Sequence, residues 1–169
     1  MSESRQNPLS QRYAHWYAHE RDCNAKVLAM LESVPVGRRG DPQFRKAVDL
    51  MAHMIFWRLK WLKGMGHPSP LSPDWKPEGT PLEDLASLVR ATEAAWISYF
   101  ATLDDAALAR DTTWTASDGT PRMWRNEHIL HQVAGHHWYH RGQITLLVTM
   151  LGGTPVSTDY FFYDPPRKE

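Results

Sequence analysis

Histidines crowd one stretch of the chain, Asn126 to Leu151, which reads NEHILHQVAGHHWYHRGQITLLVTML. Two of them, His136 and His140, stand four residues apart. On a helix, at about 100° per residue, their side chains project about 40° from each other. They share the side that carries Ile129, Val133, Ile144, Leu147 and Leu151. Two imidazoles so placed can aim a ring nitrogen each at one point, which is how a helix supplies two ligands to a tetrahedral or five-coordinate metal. The competing account is a pair of packed, hydrogen-bonded core histidines. The glutamate of H-E-x-x-H is missing, so the pair is not a zincin signature. His137 projects about 60° from His140, towards the edge of the stripe, and is expected as a surface or flank residue. His131 points away from the stripe and is expected in solvent.

These residues need a long helix beneath them, and the stretch supplies one. Its apolar residues recur at three- and four-residue steps and no proline interrupts them. Upstream, residues 1–8 are polar and end at Pro8, as a loose terminus does. A first helix is expected from about Leu9 to Ser33, closed by Pro35 and Gly37. Asp41 followed by Pro42 reads as an N-cap with proline at the first helical position. The second helix then runs to Leu62 or Lys63 and is apolar on most of its circumference, with His53 in its middle. A proline-rich connection from Gly64 to Gly79 follows, long enough to let the next helix run parallel to the previous one. Thr80-Pro81-Leu82-Glu83 has the form of a capping box. The third helix is expected to reach about Leu103, with a further short helical turn between Asp104 and Arg110. Thr112 to Thr120, with the turn dipeptide Asp118-Gly119, reads as a short hairpin or an irregular loop. Gly152-Gly153 and Pro155 close the fourth helix. The aromatic tail, VSTDYFFYDPPRKE, is expected to dock on the helices or on a second subunit. Four long helices without convincing strand alternation make an all-α fold, a four-helix bundle with a long crossover between helices 2 and 3, in a single domain over residues 1–169.

The composition narrows the chemistry. Nineteen basic residues balance nineteen acidic ones, which gives no electrostatic reason to expect nucleic acid or an anionic membrane as a partner. A lone cysteine, Cys23, allows no internal disulfide and suits a reducing, cytoplasmic setting. The opening MSESRQNPLS lacks the apolar core of a signal peptide. No apolar run approaches the roughly eighteen residues that a membrane span needs. The eight tryptophans fill a helical core or line an aromatic pocket.

With these residues laid out, the chain resembles the DinB-like family over nearly its whole length. The most specific piece is H-H-W-Y-H-R-G-Q-I, His136 to Ile144, which is similar to the family's H-x-x-x-H-R-G-Q signature. Leu130-His131 stands at the family's spacing upstream of it. His53 with Trp61 and Leu62 resembles the segment that holds the family's first histidine. Tyr13, Trp16, Asn24 and Leu28 are similar to its first helix, and Gly152, Pro155 and Asp159-Tyr160 to its closing stretch.

The resemblance implies one divalent metal held by three histidines, His53 from the second helix and His136 and His140 from the fourth. Zinc, nickel, iron and manganese all suit imidazole, so the ligand set does not choose among them. It also implies a homodimer, and a chemistry in which a low-molecular-weight thiol or a water is activated for attack on a small electrophile. Characterised relatives include mycothiol-dependent maleylpyruvate isomerase and bacillithiol transferases, so a thiol S-transferase or a hydrolase is expected. The alternative is a non-catalytic helical bundle that binds a ligand or partner, with its metal structural or absent. Three neutral imidazoles leave a tetrahedral ion one open position, which is the catalytic pattern. Trp16, Trp57 and Trp61 are candidates to line the pocket. Arg141 and Gln143 belong to the signature and are expected to bridge helices or subunits by hydrogen bonds. The chain departs from its relatives beside the ligands: Ala52 and Gly135 stand where asparagine is common, and Arg58 where an acidic residue is common. The groups that orient the imidazoles are therefore expected to differ.

Overall fold

A computed structural model describes residues 8–70, 72, 74–116 and 118–164. The loose terminus expected over residues 1–8 lies almost wholly outside the described residues. Four long helices dominate: α1 (Pro8–Glu32), α2 (Pro42–Gly64), α3 (Leu82–Ala101) and α5 (Asn126–Met150). Two short helices, α4 (Asp105–Ala109) and α6 (Tyr160–Tyr163), and a 3-10 turn at Val36–Arg38 complete the helical part. The helix expected as the fourth is thus α5. No helix among the described residues is long and apolar enough to cross a membrane.

The helix ends follow from local chemistry. Arg39 donates to the Val34 and Glu32 carbonyls, which satisfies the open end of α1. Asp41 caps α2, its Oδ1 accepting the Gln43 N–H at 2.8 Å, with Pro42 at the first position. The capping box expected at Thr80 does not form. The Thr80 hydroxyl donates instead to the Pro77 carbonyl at 2.8 Å, and no side chain caps α3. Gly152, at φ +79°, turns the chain out of α5.

Of the two readings of the stretch around Asp118-Gly119, a short hairpin or an irregular loop, the structure has the hairpin, a small addition to a mostly helical fold. β1 (Asp111–Thr115) and β2 (Pro121–Arg125) form an antiparallel hairpin, with Thr113 opposite Met123. Gly119 supplies the turn's left-handed φ of +80°. Five residues per strand are too few for alternation to stand out in a sequence. The hairpin tryptophans, Trp114 and Trp124, pack on Trp61 of α2.

Packing runs from α1 to α3, from α3 to α2, from α2 to α5, and from α5 back to α1. The interior holds two apolar clusters. One gathers Val27, Met30, Phe44, Met51, Ile55, Leu85, Ile144 and Val148. The other gathers Tyr17, Leu62, Trp96, Phe100, Ile129 and Val133. Buried polar residues fall between the two clusters in sequence on α1 (Glu20 and Asn24), α3 (Thr92) and α5 (His137 and Arg141), and Arg58 is buried near the junction on α2. The aromatic tail docks on α1, where Tyr160 and Tyr163 pack on His15 and His19.

Candidate metal centre

The apolar stripes of α2 and α5 face each other, and that packing brings His53 against His136 and His140. The ring centroids lie 5.2 Å apart for His53 and His136, 5.0 Å for His53 and His140, and 4.3 Å for His136 and His140. One ring nitrogen from each falls within 4.8 Å of the other two. The Nε2 atoms of His53 and His136 are 3.1 Å apart. A tetrahedral ion held at about 2.0–2.1 Å by each imidazole separates its nitrogens by about 3.3 Å, so the three side chains stand close to the spacing that a cation requires. These three histidines can hold a metal ion.

Protonation fits the same role. Burial, then the neighbouring His140 and His53, pushes His136 down to about 4. Burial and His140 also lower His53, against a small opposing pull from Glu78. Both imidazoles are therefore neutral at pH 7, as metal ligands must be. Gln143, one turn on from His140, accepts the His140 Nδ1–H at 2.7 Å through its Oε1. That bond fixes the tautomer and leaves Nε2 of His140 free to coordinate. Gln143 thus orients a candidate ligand on its own helix, where a bridge between helices or subunits was expected.

The other signature residue, Arg141, does bridge helices. Its Nη1 and Nη2 donate to the two carboxylate oxygens of Glu20 on α1 at 3.0 and 3.1 Å. Arg58 of α2 donates to the same carboxylate at 2.7 Å, to Asn24 Oδ1 at 2.9 Å, and to His137 Nδ1 at 3.0 and 2.8 Å. Burial alone pushes the Glu20 carboxyl up, but the two guanidiniums facing it hold it well below its ordinary range. His137 is not the flank residue expected from the helical wheel. It is 1 % exposed, because α1 covers the side of α5 that the apolar stripe leaves bare. Burial, then the Arg58 guanidinium, pushes it down to about 3, so it is neutral. His131 is exposed as expected, its Nδ1 on the Glu127 carbonyl at 2.9 Å.

A groove of about 330 Å³ opens onto two of the three histidines, His53 and His140, and is lined also by Arg45, Lys46, Asp49 and Glu78. Trp57 packs edge-on against the His53 ring with centroids 6.1 Å apart and lies tilted against Trp61 in turn. Trp16 does not belong to the site. Its ring packs on Tyr17 and Phe100 in the second apolar cluster. Two residues escaped the sequence reasoning. Glu20 carries no local mark, since only the partner helices make its position a buried one. Glu78 sits in the proline-rich connection, where spacing says nothing about distance to the histidines.

No curated protein matches the sequence at a meaningful level. The family model of the DinB family matches residues 1–168, and with the three histidines gathered at its α2–α5 contact the chain belongs to the DinB family.

Proposed function

We propose that the protein is a metal-dependent enzyme in which His53, His136 and His140 hold one divalent cation. In this reading α1, α3, α2 and α5 are a four-helix bundle with a long crossover between α2 and α3. Its reaction is the transfer of a low-molecular-weight thiol, or of water, to a small electrophile in a cytoplasmic setting. The observation that carries the reading is the convergence of three imidazoles from two facing helices, with burial lowering His53 and His136 so that both are neutral. A divalent cation with three such ligands keeps an open position and supplies Lewis acidity that lowers the pKa of a water or thiol there.

The chain's own residues do the rest. Gln143 holds the His140 ring in one orientation. The buried layer of Glu20, Arg58, His137 and Arg141 joins α1, α2 and α5 at the level of the histidines, which limits how far α2 and α5 can slide. Trp57 shields one side of His53 from water. The groove beside Lys46 and Glu78 admits a small polar solute. The exposed apolar face of α5, with Tyr139, Leu146 and Met150, supports a homodimer.

The direct test is elemental analysis of the purified protein beside a His140→Ala variant. About one equivalent of a divalent metal is expected in the parent and a large loss in the variant, and equal metal in both would remove the site. Turnover of a thiol with an electrophile by the loaded protein tests the chemistry. Tight binding without turnover would instead identify a non-catalytic binding bundle.

A further inference from the structure

The groove at the triad holds two carboxylates, and they are placed differently. Asp49 is committed: its Oδ1 accepts the Arg45 guanidinium at 2.8 Å and the Gly79 N–H at 3.0 Å. Glu78 makes no hydrogen bond or ion pair among the described residues, although it lines the groove with His53 and His140. An exposed carboxylate on a loose loop would have no meaning here, but the loop is tied at several points. Gly79 takes a φ of +80° beside Glu78. The Thr80 hydroxyl donates back to the Pro77 carbonyl, and Arg45 Nη2 donates to the Thr80 carbonyl at 2.7 Å. Upstream, Trp75 packs on Phe56 of α2 with centroids 6.0 Å apart. Arg45 and Asp49 thus spend their own polar groups to bind the Pro77–Thr80 turn to α2. The residue this turn carries into the groove is Glu78.

We propose that Glu78 is the fourth protein group of the cation site, a carboxylate held at the open side of the three histidines by the stapled Pro77–Thr80 turn. Three neutral imidazoles leave a divalent cation its full double charge. In the groove the Arg45 and Asp49 charges cancel each other, and Lys46 adds a positive one. Glu78 is the negative charge that remains to offset them. Its oxygens also accept hydrogen bonds from a proton-bearing ligand in the cation's open position, as carboxylates around metal sites do. The proposal rests on the triad holding a cation, and its test separates the two claims.

The test is a competition titration of the metal-stripped full-length protein with zinc against a chromophoric chelator at pH 7. The parent is compared with Glu78→Gln, His140→Ala and, as a control for diffuse charge, Glu83→Gln in the first turn of α3. Glu78→Gln keeps the side chain's size on an exposed turn, and circular dichroism verifies its fold. Glu78→Gln is expected to weaken zinc by about tenfold, Glu83→Gln to leave it unchanged, and His140→Ala to lose the site. Parental affinity in Glu78→Gln, with His140→Ala defective, would overturn the role of Glu78 and leave the triad standing. An equal loss in Glu78→Gln and Glu83→Gln would overturn it as well, since distant charge would then suffice. Parental affinity in His140→Ala would overturn the triad and Glu78 with it.

Discussion

Gln143 shows how one side chain sets the quality of a site it does not itself complete. Its Oε1 holds the His140 Nδ1–H at 2.7 Å and leaves Nε2 free to coordinate. Gln143→Ala frees that ring to rotate and to change tautomer. Metal affinity in a chelator competition is expected to fall about 10- to 100-fold, with the helix content unchanged. Protonation gives a second outcome at this scale. His136 titrates at about 4 in the folded chain against an ordinary 6.5, because burial and the adjacent imidazoles disfavour its charge. Below the ordinary value the unfolded chain takes up a proton that the folded site refuses, so protons favour unfolding. Stability contributed at neutral pH is therefore lost as pH falls from about 6.5 to about 4. Thermal melts of the metal-free protein should show Tm falling across that window. His136→Asn should flatten part of the fall and leave the part due to His19, His53 and His137, which are lowered in the same direction. An unchanged slope in His136→Asn would contradict the assignment.

At the scale of elements, the contact between α2 and α5 carries two layers side by side. His53, His136 and His140 lie on one side of it, and Arg58, His137 and Arg141 on the other, with Glu20 of α1 as the shared acceptor. The carboxylate is fully buried and the two guanidiniums are 3 % and 1 % exposed. Glu20→Gln removes the charge while keeping the size, and leaves two buried cations without a counter-ion. Urea unfolding should show a loss of about 3–5 kcal/mol. Combining it with Arg141→Met should recover part of that loss, because the second change removes one stranded cation. The histidine half of this contact was legible in the sequence, since His136 and His140 share the apolar stripe and the family signature names them. The charged half was not. A helical wheel sorts residues by apolarity, so it places an arginine or a histidine off the stripe in solvent. Whether such a side is buried depends on another helix, and nothing local to His137 records the arrival of α1. Helix ends with a proline, glycine or aspartate were readable for the opposite reason, since the chemistry of Asp41 and Gly152 is local. Thr80 misled because α3 begins at Leu82, which makes Pro81 the N-cap and leaves the Thr80 hydroxyl one residue outside it.

At the scale of the whole molecule, the described residues leave one face of α5 uncovered. Tyr139, Gly142, Leu146 and Met150 fall within about 80° of one another on α5, and the three with side chains of any size are 65 %, 62 % and 57 % exposed. A monomer gains nothing from an apolar ridge in water, and in the proposed homodimer a copy of the same ridge would cover it, with Gly142 allowing close approach. The edge of such an interface reaches the cation site, because the Tyr139 ring lies 5.2 Å from that of His140. Sedimentation is expected to give twice the chain mass of 19.5 kDa at micromolar concentration. Leu146→Glu places a charge in the middle of the ridge and should yield the monomer. Its metal content should hold, since Leu146 lies about 9 Å along the axis from His140 and touches no ligand. Tyr139→Ala should weaken the dimer and also loosen the His140 ring, so that both association and metal affinity fall. A parent protein that sediments as a monomer throughout would leave the ridge without a partner copy, while the histidine site, built within one chain, would be unaffected.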